Sequence, residues 1–223
     1  MDIIIVGGGR LARELNGHPS RFGEARLHRW PERPAGRMRS IVVHAGSGRE
    51  LAAVAAFCAA TGSPLLELST EPADFPAHGF PWVACANANL LMLKFMAMLR
   101  RSGALLAGYE VSLTESHQAA KQSVPGTAVH LAASLGLQPS RIRSIRDPAR
   151  QGAELGISPA GLERHAFHEV VVRDGACTLR LQSLVDGEAP YVDGVASIVR
   201  AMAAHPLENR RYDVAELLEN GWV

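Results

Sequence analysis

The chain has 223 residues, and its 23 basic and 22 acidic side chains leave a formal charge of +1. That length allows one large or two small domains with a sizeable core. The charge balance gives no footing for nucleic acid or a membrane surface. Cys58, Cys85 and Cys177 lie far apart in apolar surroundings, which fits reduced thiols rather than a disulfide frame or a zinc site. The opening residues lack the basic region of a signal peptide. The apolar runs at 51–60 and 90–99 are too short to span a bilayer, and the second holds Lys94. A cytoplasmic protein is expected.

In chain order, Ile3-Ile4-Ile5-Val6 reads as a buried parallel strand. Gly7-Gly8-Gly9-Arg10-Leu11-Ala12 follows and fits G-x-G-x-x-A, in which glycines turn the chain tightly and admit a pyrophosphate to a helix N-terminus. A glycine turn without a ligand is the bland alternative. Gly17 should stop the short helix. The next strand is expected over 25–30. An acid that would hold ribose hydroxyls is absent about 20 residues beyond the glycines. Arg26, Arg29 and Arg33 stand there instead, and arginine forks suit a 2′-phosphate, so NADPH is favoured. Solvated edge arginines are an equal alternative, and Glu32 keeps NADH open.

The third strand is expected over 40–44, with no helix between it and the second. Ala45 to Glu50, including Gly46, opens a helix over 51–60, and Ser47 and Glu50 have capping-box spacing. Further strands are expected over 64–68, ending at Ser69-Thr70, and over 80–85, followed by Ala86-Asn87-Ala88-Asn89. The helix over 90–99 carries Met92, Met96 and Met98 as packing residues.

Tyr109 to Thr114 alternates like a strand and Ala128 to Leu137 like a helix. Between them, Glu115 to Thr127 holds an acid, a histidine, a lysine and a Pro-Gly-Thr turn. A histidine, a lysine and a helix start in one loop suit an anionic, carboxylate-bearing ligand; a solvated loop is the alternative. The stretch resembles the dihydrodipicolinate reductase motif E-x-H-H-x-x-K-x-D-x-P-S-G-T-A. Glu115, His117, Lys121, Pro125, Gly126, Thr127 and Ala128 match. Gln118 replaces the second histidine, Ser123 stands near the aspartate, and the serine between Pro125 and Gly126 is missing.

The resemblance implies hydride transfer from NADPH or NADH to a cyclic imine dicarboxylate in lysine and diaminopimelate biosynthesis. By it, His117 and Lys121 are catalytic, Gln118, Gly126 and Thr127 bind substrate, and Gly7, Gly9, Arg10, Leu11, Arg29, Gly46, Ser69, Thr70 and Asn87 line the cofactor. Leu68 and Glu71 depart from the glycines the family carries beside the nicotinamide. The readings in competition are a true reductase of this kind, a paralogue acting on a related imine or enamine carboxylate, and a non-catalytic dinucleotide-binding protein. Retention of His117 and Lys121 argues against the last.

Beyond the motif, Arg141 to Arg146 reads as a strand whose three arginines share one face, which meets water or, as the less favoured alternative, a dicarboxylate. Ser158-Pro159 starts a short helix, and His165 and His168 lack the companions a metal needs. Arg173 to Ala176 turns a hairpin into a strand over 177–182. Helices are expected over 192–204 and, capped by Asp213, over 214–219. The expected architecture is α/β: a Rossmann-like parallel-sheet nucleotide domain (1–88 with 193–223) and an α+β mixed-sheet domain (89–192) for substrate. The resemblance and an open sheet face imply a homotetramer.

Overall fold

Asp2–Val6 form β1, and all five residues are buried. A strand covered on both faces need not alternate, hence the unbroken apolar run from Ile3. The computed structural model describes residues 1–34, 39–69, 79–121 and 125–223. It divides into two units, Met1–Leu90 with Tyr191–Val223, and Leu91–Pro190.

The first unit continues with α1 (Arg10–Gly17), β2 (Arg26–Arg29), β3 (Ile41–His44), α2 (Leu51–Thr61), β4 (Leu65–Glu67) and β5 (Trp82–Ala84). After α3 (Leu90–Ser102), the second unit carries β6 (Glu110–His117), α4 (Gly126–Ser134), β7 (Ile142–Ile145), α5 (Pro148–Leu155), β8 (Ala166–Asp174) and β9 (Cys177–Val185). The chain then returns to the first unit through α6 (Val192–Ala204), β10 (Arg211–Asp213) and α7 (Val214–Glu219).

The first unit is built on a six-stranded sheet of order β10-β5-β4-β3-β1-β2. All of its pairings are parallel. From β1 the chain steps outward to β2, then crosses back over β1 to reach β3. That reversal puts a topological switch point, where open α/β sheets bind ligands, at the carboxyl ends of β1 and β3. Ile4, Val6, Val42, Leu65 and Trp82 pack against Leu51, Val54 and Cys58 of α2. Burial pushes the thiols of Cys58 and Cys85 up to about 12, so both are inert. Cys177 differs from the expectation: it is exposed beside the hairpin turn.

The second unit has a four-stranded sheet of order β7-β6-β8-β9, with β6 parallel to β7 and antiparallel to β8. Leu113, Val170 and Val172 pack with Met92 and Leu99 of α3 and Leu131 and Ala132 of α4. Met98, by contrast, is 46% exposed. The β8–β9 hairpin turns through Gly175-Ala176, and β9 is the sheet edge, with few covered side chains.

Local expectations fail in three places. Glu50 itself caps α2, with helical backbone and no side-chain cap, so the Ser47–Glu50 box does not form; Ser47 accepts from Arg49 instead. The arginines near β7 do not share a face. Arg143 points outward to Glu154, Arg141 ends a short 3-10 turn, and Arg146 lies beyond the strand, out of phase with both, and turns inward. Helix α5 was not anticipated, although Asp147-Pro148 is a capping signal: Asp147 Oδ1 accepts from Arg150 N at 2.8 Å.

Gly194 of α6 provides a test of the return crossing. A Cβ there would lie 1.6 Å from the Ala88 carbonyl oxygen. Gly194→Ala therefore forces backbone apart and should destabilise the protein by about 3 kcal/mol, the upper range for overpacking. Urea unfolding monitored by circular dichroism measures it; an unchanged midpoint would refute the contact.

Candidate active site

At the switch point in the first unit, Gly7 follows β1 with φ of +121°, and a Cβ there would lie 2.5 Å from Ala45 O and 3.0 Å from Gly46 Cα. Only glycine fits, both in backbone conformation and in space. Gly46 is less tightly confined, since its Cβ would approach the side-chain atoms His44 Nε2 at 3.0 Å and Glu50 Oε2 at 3.2 Å. Gly8 and Gly9 face open space, and Gly9 caps α1, whose first turn holds no acid. The exposed Arg10 and half-buried Leu11 begin that helix. These are the features an approaching phosphate needs: free N–H groups, a favourable helix end and no repelling carboxylate.

The three candidate 2′-phosphate arginines divide. Arg26 pairs with buried Asp2 at 3.0 Å, and Arg33 lies 4.0 Å over the Trp30 ring and donates to the Trp30 carbonyl. Arg29 ends β2 opposite Ile5, is exposed, and has no ion pair among the described residues. At the next strand ends, Ser69 donates its hydroxyl to buried Glu67. Thr70 lies outside the described residues. Asn87 Oδ1 accepts from Asn89 N at 2.9 Å, closing a turn ahead of α3.

In the second unit the apolar row Val111–Val172 and Leu113–Val170 continues, two residues on, as Glu115–His168. Strand alternation places Glu115 and His117 on the same face as Leu113. Glu115 has no exposed surface, yet it accepts from His117 Nδ1 at 2.9 Å and Arg146 NH2 at 2.6 Å. Burial alone would raise its carboxyl. Hydrogen bonds from His117, Arg146 and Ser144, with the charge of Arg146, hold it down at about 2.

That ionised carboxylate fixes the His117 tautomer. Nδ1 carries the proton and donates, while Nε2 makes no hydrogen bond among the described residues. A base oriented by a buried acid is an acid–base arrangement in its own right. Behind it, the two protons of Gln151 Nε2 are shared among His117 O at 2.7 Å, Ser116 Oγ at 3.0 Å and Ile145 O at 3.1 Å. The two carbonyl acceptors settle which end of the amide points there. Ser116 then donates to His165 Nε2 at 2.8 Å, and His165 Nδ1 donates to Gly161 O at 2.9 Å. His165 is a satisfied core histidine, and His168 is buried with both ring nitrogens unpaired among the described residues, its ring 5.6 Å from that of His117. Among the described residues no cluster of three or more His, Cys, Asp or Glu is placed to hold a metal.

The remaining candidates sit on the loop after β6 and the start of α4. Gln118 and Lys121 are half-buried, and Lys121 N donates to Gln118 O at 3.0 Å in a turn. Residues 122–124 lie outside the described ones. Gly126 begins α4 after Pro125, exposed and with open space where a Cβ would be; Thr127 is half-buried.

No family model matches the chain. A probable 4-hydroxy-tetrahydrodipicolinate reductase 2, chloroplastic, of Oryza sativa subsp. japonica is 32% identical over 127 residues, covering 52% of this chain and 38% of that protein. The 4-hydroxy-tetrahydrodipicolinate reductase 2, chloroplastic, of Arabidopsis thaliana is 30% identical over 125 residues, covering 52% and 36%. The sequence similarity is to 4-hydroxy-tetrahydrodipicolinate reductases. The matched stretch is little more than a third of those relatives' length.

In fold, the chain is similar to a dipicolinate-bound dihydrodipicolinate reductase from Paenisporosarcina sp. TG-14, with a TM-score of 0.64 at 12% identity, covering 96% of this chain and 97% of that one. A diaminopimelate dehydrogenase of C. glutamicum, in complex with DAP, gives 0.52 at 11% identity over 97% and 93%. Its neighbours in sequence and fold are thus reductases and dehydrogenases. Among the described residues no helix is long and apolar enough to cross a membrane.

Sequence reasoning left Ser116, Gln151, His165 and His168 out of the site, and it gave Arg146, with Arg141 and Arg143, only a shared face toward water or, less favoured, a dicarboxylate. Arg146 left one trace, its phase: three residues after Arg143, it cannot share that strand face. The pairing of His168 with Glu115 depends on register, which single-strand patterns do not carry.

The cluster predicts a pH dependence of stability. His168 is depressed to about 4 from an ordinary 6.5, by burial first and by His117 second. Glu115 is depressed to about 2 from 4.5. In each window the unfolded chain holds the extra proton, so stability falls as pH drops, from about 6.5 to 4 for the histidine and from about 4.5 to 2 for the acid. His168→Leu should remove the upper part of this loss, on the order of 2 kcal/mol at about pH 4.5. Urea midpoints across pH test it; an unaltered upper slope would show that His168 does not titrate with unfolding.

Proposed function

We propose that this chain reduces a cyclic unsaturated imine dicarboxylate with a pyridine nucleotide, dihydrodipicolinate being the first candidate and NADPH the favoured donor over NADH. One observation carries the reading: a buried, ionised Glu115 orients His117 at the end of β6, and the loop and helix start that follow bear Lys121, Gly126 and Thr127. The resemblance at this motif and the curated relatives named 4-hydroxy-tetrahydrodipicolinate reductase support it.

Reduced nicotinamide, when bound, supplies the hydride. The residues of the first unit bind and orient. Gly7, Gly8 and Gly9 with the start of α1 suit the pyrophosphate, and Arg29 suits a 2′-phosphate. In the second unit, the open backbone at Gly126 and the Thr127 hydroxyl suit a substrate carboxylate, and Gln118 offers a further donor. His117 can hold a proton on Nε2 while Glu115 stabilises the imidazolium through Nδ1, so it is placed to protonate an imine nitrogen. Lys121 contributes a second cation from the same loop.

A related imine or enamine carboxylate is the second reading. It is favoured by Gln118 in place of a histidine and by the absence of a serine between Pro125 and Gly126, since both change the carboxylate end of the loop. In either case we assign residues 1–88 with 193–223 to the nucleotide and 89–192 to substrate and self-association. A cytoplasmic homotetramer assembled on the open face of the second sheet completes the reading.

The decisive measurement is turnover of freshly prepared dihydrodipicolinate by the purified protein with NADPH and with NADH. Lys121→Ala should lower kcat about 10²- to 10³-fold with the fold intact, the scale of losing one donor to developing charge. Near-normal turnover would remove Lys121 from the mechanism. Arg29→Ala should weaken NADPH binding about tenfold or more and spare NADH, as loss of one charge-assisted contact requires. Equal losses in calorimetry would mark the arginine as structural.

A further inference from the structure

Arg146 is absorbed neither by the motif nor by the proposed substrate contacts. It follows the last residue of β7, and its side chain is 21% exposed. Its guanidinium makes three contacts in different directions: NH2 donates to Glu115 Oε1 at 2.6 Å, Nε donates to Lys121 O at 2.8 Å, and NH1 donates to Ile145 O at 3.1 Å. The backbone that carries it is fixed on both sides. Ile145 is paired with Ser116 in the β6–β7 ladder, and Asp147 caps α5. One turn into α5, Gln151 grips the His117 carbonyl.

We propose that Arg146 is a positioning residue that sets two side chains of the candidate site at once, fixing His117 through Glu115 and fixing Lys121 through its main-chain carbonyl. The inference rests on the proposed function for the meaning of those side chains, but its geometry does not depend on it. Glu115 and Lys121 lie on one stretch of chain, strand end and loop, whose intervening turn is held by one backbone bond among the described residues, Lys121 N to Gln118 O. A planar fork with separately directed donors can tie both ends of that stretch to the neighbouring strand. A lysine ammonium, a compact charge on a flexible stem, can neutralise Glu115 but not reproduce both directed contacts.

This separates electrostatics from tethering. Without the guanidinium, Glu115 loses a hydrogen bond and a charge that keep it ionised, so its carboxyl titrates at higher pH. It also holds the His117 ring less firmly in the Nδ1–H form. Without the fork alone, Glu115 stays ionised and the loop at 118–121 loosens. A merely structural arginine would lower stability while leaving tautomer, loop protection and the KM–kcat split unmoved.

The experiment compares wild type, Arg146→Gln and Arg146→Lys, each checked for folding by near-ultraviolet circular dichroism. Histidine-ring nitrogen spectra and carboxyl-carbon titration of the unliganded proteins are read first, and neither needs substrate. Arg146→Gln should mix the His117 tautomers and raise the titration of Glu115. Arg146→Lys should keep both near wild type but speed amide exchange at residues 118–121 about tenfold, a local opening rather than a global one. On the substrate that wild type turns over, Arg146→Gln should lower kcat about 10- to 100-fold, the scale on which supporting partners of functional side chains act, with KM changing much less. Arg146→Lys should recover part of that loss. Unchanged tautomer and loop exchange in Arg146→Gln would overturn the proposal. So would full kcat and wild-type exchange in Arg146→Lys, since a charge without a fork would then suffice. If wild type turns over no imine carboxylate, the proposed function fails, while the spectra and exchange still decide the role of Arg146. Should Arg146→Gln not fold, Arg146→Lys carries the test alone through exchange.

Discussion

The carboxylate of Glu115 is the constraint on which the second unit depends. An ionised carboxyl with no solvent contact costs several kcal/mol unless partners replace its water. Here the partners come from three places: His117 two residues on, Ser144 on the adjacent parallel strand, and Arg146 just beyond that strand. Meeting them requires β6 to run through His117 instead of stopping at Thr114, and requires β7 to end where it does. The cap on α5 follows, because Asp147 must turn the chain immediately after Arg146. One buried charge thus accounts for a strand end, a neighbouring strand end and a helix start.

The first unit depends on a steric constraint of the same rank. Gly7 touches the loop after β3 with no room for a methyl group, and that loop in turn keeps Gly46 against His44 and Glu50. Ala45 N donates to Val6 O at 2.8 Å, so the two strand ends at the switch point are joined by backbone before any ligand is considered. A crevice whose walls are main chain is preorganised for a charged group that needs N–H donors at close range. Beside it, Arg29 ends β2 in register with Ile5 of β1.

Much of this was legible in the sequence, and for identifiable reasons. Buried parallel strands announce themselves as apolar runs, and the run at Ile3 followed by three glycines locates the crevice without any structure. The motif from Glu115 to Ala128 located the second cluster. What pattern reading did not reach is set by pairing between distant segments. The row Glu115–His168 exists only in the antiparallel register of β6 and β8. Ser47 and Glu50 had the right spacing for a cap, yet Glu50 took helical backbone and its own carboxylate turned toward Gly46. Spacing states what a side chain can reach; the fold decides which competitor it reaches first.

His168 shows where such a fold accepts a cost. Its ring occupies a position continuous with the apolar row of Val170 and Val172, has 1% of its surface exposed, and satisfies neither nitrogen. An aliphatic side chain there would avoid the desolvation of an unpaired imidazole, worth about 1–3 kcal/mol. The cost falls directly beside the His117 ring and opposite the Glu115 backbone, whereas His165, one strand position away from Ala166, has both nitrogens bonded. Unpaired polar groups are uncommon in protein interiors, and sequences that keep one tend to do so where a site is being built. Around Glu115 the two kinds of interior polarity therefore stand side by side, a bonded chain through Ser116 and the Gln151 amide nitrogen that ties down the strand end, and an unbonded ring that keeps the neighbourhood of His117 poorer in competing partners.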